Sequence, residues 1–521
     1  MRHEGVVPVL ANAKVTLRAP VMRRRLGAYK IPRIGLGPAM GTYTNDLHEA
    51  HVGLARRVLM RYDKDTDQYH ERVEPSARLV DERLAAMSER FLRATPAPVV
   101  CRLEEYHKLY TGSKRVVYKN ATDSLRRGGL LPKDARVTGF VKVEATPPGA
   151  DTRLIQTRSS RYHASLGCFL KLNEKSMYHG VDSWFGEKTI VKGLNGAEVG
   201  GLIARKFRAY EDPIAIGLDA SRFDRSVSVP LLRWVHRHYK AHIGDNPELA
   251  ALLEMQINNR GVVRARDGRI DYTVRGGVMS GDIDTSLKGC LIMCAVVGSW
   301  ARSAGVRVKL VNNGDDCVVF MEGADEARFT DGMVGWMAEL GLDIVPEPTV
   351  REIEKIEFCQ AKPVMDSRGM YVMCRNPAKA TVKDSICRTG IGSDKACKRW
   401  LASVADCGKA LAGDMPIFGA HYRAYGRAAE GVQAGNVYAH AGYASGLYWL
   451  SRGMRERAGV TTATRISFWR AWNITPHEQR AIEHYYDTLT IHMGIGPVES
   501  VPSKHFHSPD TVSSLANGTQ A

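Results

Sequence analysis

The sequence predicts an α+β protein in which strands and helices alternate around one short sheet, and three observations carry the prediction. Between Ile214 and about Gln360, strand-like runs (AIGLDA, VRVKLV, CVVFM) alternate with helical stretches from Pro230 to Ala241, after Met279, and from Gly332 to Leu340. That order is the split βαβ pattern of an α+β domain. In VRVKLVNNGDDCVVFME an Asn-Gly pair separates two β-rich runs, a hairpin signal because the tight primed turn needs positive φ at its centre. In EPSARLVDERLAAMSERFLR, Leu79, Leu84, Met87 and Phe91 recur at helical spacing, which predicts a helix with one buried stripe.

Residues 1–97 read as a short extension, with a basic cluster at Met22 to Arg25 and the helix just described. From Tyr106 to about Val199 the chain is rich in Lys, Arg, Gly and Tyr. There the turn signal TPPGAD, Thr146 to Asp151, separates VTGFVKVEA from TRLIQTR and predicts a basic hairpin. The alternating region follows. From about Ala378 the chain reads as mostly helical, with SFWRAW and HEQRAIEHYY as amphipathic turns and a polar end from Ser508. No internal repeat is visible.

The 521 residues include 73 Lys plus Arg against 56 Asp plus Glu, a net charge of +17, and that excess predicts a polyanionic partner. A hydrophobic content of 44% excludes disorder as the dominant state. The longest nearly unbroken apolar run, Gly289 to Ala301, is shorter than the ~20 residues that span a bilayer, so an integral membrane protein is not expected. The first residues lack the pattern of a secretory signal, and a cytosolic chain is expected. The ten Cys contain no C-x-x-C pair, and Cys290 and Cys294 read as reduced core residues.

Acidic strand ends carry the chemistry. AIGLDASRFDRS ends a strand in Asp219 and places Asp224 five residues on, while the hairpin tip holds Asp315 and Asp316. Two such strands side by side in one sheet bring three carboxylates together. Bare, they repel. Hard oxygen ligands so arranged call for Mg²⁺, which takes a few carboxylates, waters and substrate phosphates. Between them, GGVMSGDIDTSLKGC has Gly276, Gly277 and Gly281 for close backbone approach, and hydroxyls at Ser280 and Thr285 just before a helix.

The ordered set D-x-x-x-x-D, S-G-x-x-x-T and G-D-D resembles motifs A, B and C of the RNA-dependent RNA polymerases of positive-strand RNA viruses. LDASRFD, MSGDIDTSL, NNGDDCVV and FCQAKPV resemble the forms of the tombusvirus and carmovirus-like group. YTGSKRVVYKNATDSL (Tyr110 to Leu125) is similar to motif G, FVKVEATPPGADTRLIQTRSSRYHASLGCFLK (Phe140 to Lys171) to motif F, and EFCQAKPV (Glu357 to Val364) to motif E. The likeness runs from about Tyr110 to Asp384.

The resemblance implies a right-hand polymerase of fingers, palm and thumb, with a ferredoxin-like split βαβ palm and a mostly helical thumb. Its parts would be an N-terminal extension packing on the fingers (1–97), fingers (98–213), palm (214–375, with a fingers insertion at about 242–275), and thumb with C-terminal tail (376–521). The implied activity is template-directed RNA synthesis by two-metal nucleotidyl transfer, with two Mg²⁺ ions for which Mn²⁺ can substitute. Asp219 and Asp315 would bind both metals, with Asp316 supporting. Asp224, Ser280 and Thr285 would read the ribose, and Lys142, Arg153 and Arg158 would face the triphosphate. Implied partners are a single-stranded RNA template, nascent RNA, ribonucleoside triphosphates and a membrane-anchoring replication protein. The implied location is a membrane-associated replication complex in the host cytoplasm.

Three positions depart from the pattern. Gly289 stands where motif B carries Asn, nine residues after Ser280; Ala145 replaces a second motif F lysine; and Val345 falls where a motif D lysine would sit. No general acid is assigned. Two rival readings are a reverse transcriptase, which usually has an aromatic residue where Gly314 stands, and a basic RNA-binding or capsid protein. The latter accounts for the charge but not for the ordered aspartates.

Overall fold

The computed structural model describes residues 8–18, 29–31, 34–38, 40–63, 66–387, 393–435, 445–457 and 459–491. The strands that position the candidate residues are, in chain order, β1 (Ala13–Leu17), β2 (Val137–Val141), β3 (Leu154–Thr157), β4 (Pro213–Ala220), β5 (Asn258–Ala265), β6 (Gly268–Arg275), β7 (Lys309–Asn312), β8 (Cys317–Glu322), β9 (Ile344–Pro346), β10 (Ala361–Met365) and β11 (Tyr371–Arg375).

Four of them form an antiparallel sheet in the order β7-β8-β4-β9. Successive side chains of a strand leave on opposite faces, and here both faces are covered. Ile214, Ile216, Leu218, Leu310, Cys317, Val319 and Met321 enter the largest core, whereas Ala215, Val311, Val318 and Phe320 enter a second one. Burial on both faces makes CVVF an unbroken apolar run rather than an alternating one. The large core is built with the helices Ala77–Ala94, Glu174–Trp184, Val229–Ile243 and Thr285–Ser303, and the second with Gly196–Phe207.

A five-stranded sheet has the order β1-β6-β5-β2-β3, with β2 and β5 parallel. Its β2–β3 pair is the hairpin expected around TPPGAD, with Thr138 opposite Thr157 and Val141 opposite Leu154. β10 and β11 pair antiparallel. The C-terminal part is helical as read from the sequence: Asp394–Ala412, Phe418–Ala428, Thr462–Trp472 and Pro476–Thr488 surround Trp400, Tyr422, Tyr425, Phe468 and Tyr486.

The described parts of the first 97 residues are distributed among three places rather than forming one appended piece. β1 pairs with β6 at the edge of the five-stranded sheet. Ile31 and Ile34 enter the C-terminal core, where the Tyr486 hydroxyl donates to the Ile34 carbonyl at 2.6 Å. Helix Ala77–Ala94 enters the large core through Val80, Leu84, Met87 and Phe91. Leu79, expected in that stripe, is only partly buried; Val80 lies one turn before Leu84 and takes its place. The Met22 to Arg25 cluster and the tail from Ser508 lie outside the described residues. All ten cysteines are free, with Cys290 and Cys294 in the large core. No described helix is long and apolar enough to cross a membrane.

Candidate active site

The hairpin between β7 and β8 is closed by Asn313–Asp316, with the Asn313 N–H donating to the Asp316 carbonyl at 2.9 Å. Its two central residues are therefore Gly314 and Asp315, one position later than the Asn-Gly centre read from the sequence. Gly314 alone carries the positive φ, at 102°, and glycine at the first central position suits a primed turn. Buried Asn312 braces the turn, accepting the Gly314 N–H on Oδ1 at 3.1 Å and donating from Nδ2 to the Gly314 carbonyl at 2.7 Å. The brace leaves Asp315 exposed and Asp316 half-buried.

Asp219 ends β4 beside this tip. Leu218 is opposite Cys317 on one side and Asp219 is opposite Val345 on the other, so Asp219 is one step along from the hairpin's last ladder pair. Burial, and then the charge of Asp315, raise the Asp219 pKa above the usual carboxylate range. Burial pushes Asp316 up to about 6 although hydrogen bonding from Cys359 opposes the rise. The Cys359 N–H donates to Asp316 Oδ2 at 3.0 Å, and Asn313 Nδ2 donates to Cys359 Sγ at 3.0 Å. Cys359 and Gln360 have φ of 52° and 60° in a tight turn before β10, closed by two bonds between Phe358 and Ala361 of 2.9 and 3.1 Å. Left-handed backbone at two consecutive non-glycine residues is strained, and here it aims an amide at a carboxylate.

Asp224 sits on one helical turn, Phe223–Ser226, entered through Arg222 at φ 50°. Arg222 Nε donates to Asp151 Oδ2 at 3.2 Å, and Arg56 pairs with the same carboxylate at 3.2 Å. Thus the end of the TPPGAD turn fixes the loop that carries Asp224. Burial, then the charge of Asp315, push Asp224 up to about 7, against the nearby charges of Arg153, Lys288 and Arg57. Arg153 is half-exposed and shares Glu144 with Lys142, at 3.4 and 2.8 Å respectively. The structure thus brings Asp219, Asp224, Asp315, Asp316 and Arg153 together.

Arg158 does not join them. Its side chain is 1% exposed and bound to Asp282, to Asn259 and, at 3.1 Å, to the Ala135 carbonyl. Its charge is committed within the protein, since swinging outward would strand the buried Asp282 charge. Ser280 and Thr285 are also occupied. Ser280 Oγ accepts the Gln156 N–H at 3.1 Å, and Thr285 Oγ donates to the Met279 carbonyl at 2.7 Å, so both hydroxyls stitch the glycine loop together. Gly289 has a steric reason: a Cβ there would stand 3.2 Å from Gly314 Cα and 3.7 Å from the Phe223 ring. The hairpin tip rests directly on helix Thr285–Ser303.

Sequence reading missed three residues at this site. Arg57 lies on a π-helical turn, Ala55–Leu59, a widened geometry frequent at functional sites. Its buried Nε has no hydrogen-bond partner among the described residues, and its charge opposes the raised pKa of Asp219 and Asp224. Lys192 Nζ donates to the Asn313 carbonyl at 3.1 Å. Cys359 completes the set. None of these three carries a local sequence signal, because each acts across a long chain separation; Lys288, in the glycine-loop motif itself, adds a charge that acts on Asp224.

Among the described residues, no group of three His, Cys, Asp or Glu side chains forms a ready-made metal cage. The three-carboxylate set read from the sequence becomes Asp219 and Asp315, which act on one another, with Asp316 tied to Cys359. This donor set still fits Mg²⁺. The ion needs only a few carboxylates and completes its shell with water and substrate phosphate, and burial and then the charge of Asp315 raise Asp219 and Asp224 further than the nearby Arg and Lys charges lower them.

The family described as viral RNA dependent RNA polymerase matches residues 14–494. The chain is 36% identical over 488 residues to the RNA-directed RNA polymerase of Turnip crinkle virus, covering 91% of this chain and 61% of that protein. It is 34% identical over 467 residues to the corresponding protein of Maize chlorotic mottle virus, covering 89% and 48%. It is 33% identical over 483 residues to that of Melon necrotic spot virus, covering 92% and 60%. The chain thus spans about half to three-fifths of the length of these relatives.

Proposed function

The chain belongs to the viral RNA-dependent RNA polymerases, and from that membership we propose that it copies RNA from an RNA template, joining ribonucleoside triphosphates by nucleotidyl transfer. The observation that carries the proposal is the acidic cluster at one end of the four-stranded sheet, without a salt bridge among the described residues. Asp219 and Asp224 have raised pKa values while the neighbouring Asp282 and Asp151 are paired and lowered.

In this reading the four-stranded sheet is the palm (214–375, with a fingers insertion at about 242–275). Residues 98–213 are fingers and 376–521 are thumb and tail, while the described parts of 1–97 are shared among the five-stranded sheet, the large core and the C-terminal core. Asp219 and Asp315 would hold two divalent ions, Mg²⁺ or Mn²⁺, and Asp316 would keep the hairpin tip in place through its bond to Cys359. Such ions, when bound, neutralise charge developing on the attacking and leaving oxygens of an in-line displacement. The protein's own residues orient the reactants. Arg153, Arg57 and Lys142 draw the triphosphate toward the carboxylates by charge, and Arg forks can bind phosphate bidentately. Asp224 faces the ribose. The +17 net charge suits the template and nascent strand, held mainly through phosphate contacts. The proposal extends to a membrane-associated replication complex in the host cytoplasm, with a separate protein as the anchor.

The test is a purified-protein assay with a defined RNA template, Mg²⁺ and labelled nucleotides. Template-dependent extension with ribonucleotides is expected. Extension that prefers deoxynucleotides would instead indicate a reverse transcriptase, and RNA binding without extension a basic binding protein.

A further inference from the structure

Behind the glycine loop lies a polar layer that the proposed chemistry leaves unused. Lys288 is 1% and Asp284 0% exposed, with Nζ 3.2 Å from Oδ1. Gln256 Nε2 donates to the same oxygen at 3.3 Å, and its Oε1 lies 3.1 Å from His236 Nε2. Burial, then the charge of Lys288, hold His236 neutral, with its pKa down at about 3. The bonds therefore run one way, from His236 through Gln256 to Asp284. The second Asp284 oxygen is buried without a hydrogen-bond partner among the described residues.

Helix stability does not account for this lysine. Lys288 lies in the first turn of Thr285–Ser303, where the helix dipole disfavours a cation, and a buried ammonium is costly wherever it sits. Its surroundings suggest a different role. One residue on, Gly289 yields its space to Gly314 and to the Phe223 ring, so the turn carrying Asp224 packs directly on this helix. The Val278 N–H donates to the Asp224 carbonyl at 2.7 Å, fixing that turn to the glycine loop as well. The Ser280 and Thr285 hydroxyls are committed to backbone groups. Of the cations that act on Asp224, Arg153 and Arg57 come from other elements, and Lys288 is the one carried by this helix.

We propose that Lys288, anchored by Asp284, positions Asp224 for selection of the ribose 2′-hydroxyl, a role that no side chain at Gly289 can fill. The proposal rests on the reading of Asp224 as the residue that faces the ribose. Lys288 is a positioning residue in this account and does not touch the nucleotide.

The test measures single-nucleotide incorporation by the full chain on a defined template with ATP, 2′-dATP and 3′-dATP. The proteins compared are wild type, Asp224→Ala, Lys288→Met and Lys288→Met with Asp284→Asn. The double substitution leaves no unpaired buried carboxylate, so it keeps the question open to measurement where Lys288→Met alone fails to fold. In Lys288→Met and in the double variant, the ratio of kcat/KM for ATP over 2′-dATP should contract roughly tenfold. The ratio for ATP over 3′-dATP should stay within about twofold, which a merely structural role would not produce. Equal losses for ATP and 2′-dATP in the double variant overturn the proposal. If Asp224→Ala also leaves the ATP to 2′-dATP ratio unchanged, the reading of Asp224 fails with it. If Asp224→Ala narrows that ratio and the Lys288 variants do not, only the role of Lys288 is lost.

Discussion

Asp282 and Asp284 in the glycine loop, and Asp315 and Asp316 at the hairpin tip, are two acidic pairs in turns beside one helix. The protein treats their charges in opposite ways. Asp282 is buried against Arg158 and Asp284 against Lys288, and the Arg158 charge helps hold Asp282 down to about 2 despite its burial. Around the hairpin tip burial, and then the charge of neighbouring carboxylates, shift Asp219, Asp224 and Asp316 upward. Burial alone therefore does not tell a structural acid from a functional one. What separates the two regions is whether the protein supplies the cation itself or leaves the charge to be met by something that binds.

Substitutions on the two sides should fail differently. Asp315→Ala has the largest expected effect, a loss of nucleotide addition of at least ~10²–10³-fold, as for removal of a group that stabilises developing charge. RNA affinity should stay within about twofold, because scattered Lys and Arg hold the backbone. The melting temperature should hold or rise, since repulsion on Asp219 and Asp224 is relieved. A marked fall in melting temperature would break the comparison by making Asp315 structural. Asp282→Ala is the converse. It leaves Arg158 buried without its partner and should cost about 3–5 kcal/mol, read by denaturant unfolding; a fully stable variant would show that Asp282 is not the acid that holds Arg158.

Gly289→Ala sharpens the boundary between the regions and has the smallest expected effect on stability. Its Cβ would press on Gly314 Cα at 3.2 Å. Overpacking of this kind costs about 1–3 kcal/mol, offset in part by ~1 kcal/mol of helix propensity gained over glycine. The strain falls on the hairpin tip, so kcat should drop roughly tenfold while the melting temperature moves little. Unchanged kcat would mean that the tip does not depend on its seat.

The alternating core, the β2–β3 hairpin and the helical C-terminal part were legible in the sequence because each rests on local periodicity or turn chemistry. So were Asp219, Asp315 and Asp316, which stand at or beside strand ends, and Asp224, on the helical turn that follows one. The turn centre was misplaced by one residue because the Asn312 side chain, not the Asn-Gly pair, selects the register. The internal partner of Arg158 was not legible because Asp282 lies 124 residues away. Arg57 went unseen for a like reason: its charge meets Asp219 and Asp224 only after folding. Sequence spacing reports which groups share an element, whereas charge compensation is settled between elements.

The central claim, that the hairpin-side acids await an external cation, is tested most directly by thermal unfolding of the metal-free chain with and without Mg²⁺. Measurements at about pH 5 and about pH 8 compare wild type with Asp219→Asn/Asp315→Asn. In the folded protein Asp316 titrates at about 6 and Asp224 at about 7, above the unfolded carboxylate value of about 3.9. Groups with raised folded pKa favour the folded state fully below the unfolded value, and that contribution is lost as pH rises through 6 and 7. The metal-free wild type should therefore lose stability between the two pH values, more steeply than the double variant. Mg²⁺ should restore it at about pH 8, do little at about pH 5, and do little to the double variant at either. A Mg²⁺ effect of equal size at both pH values, or one retained by Asp219→Asn/Asp315→Asn, would contradict the account.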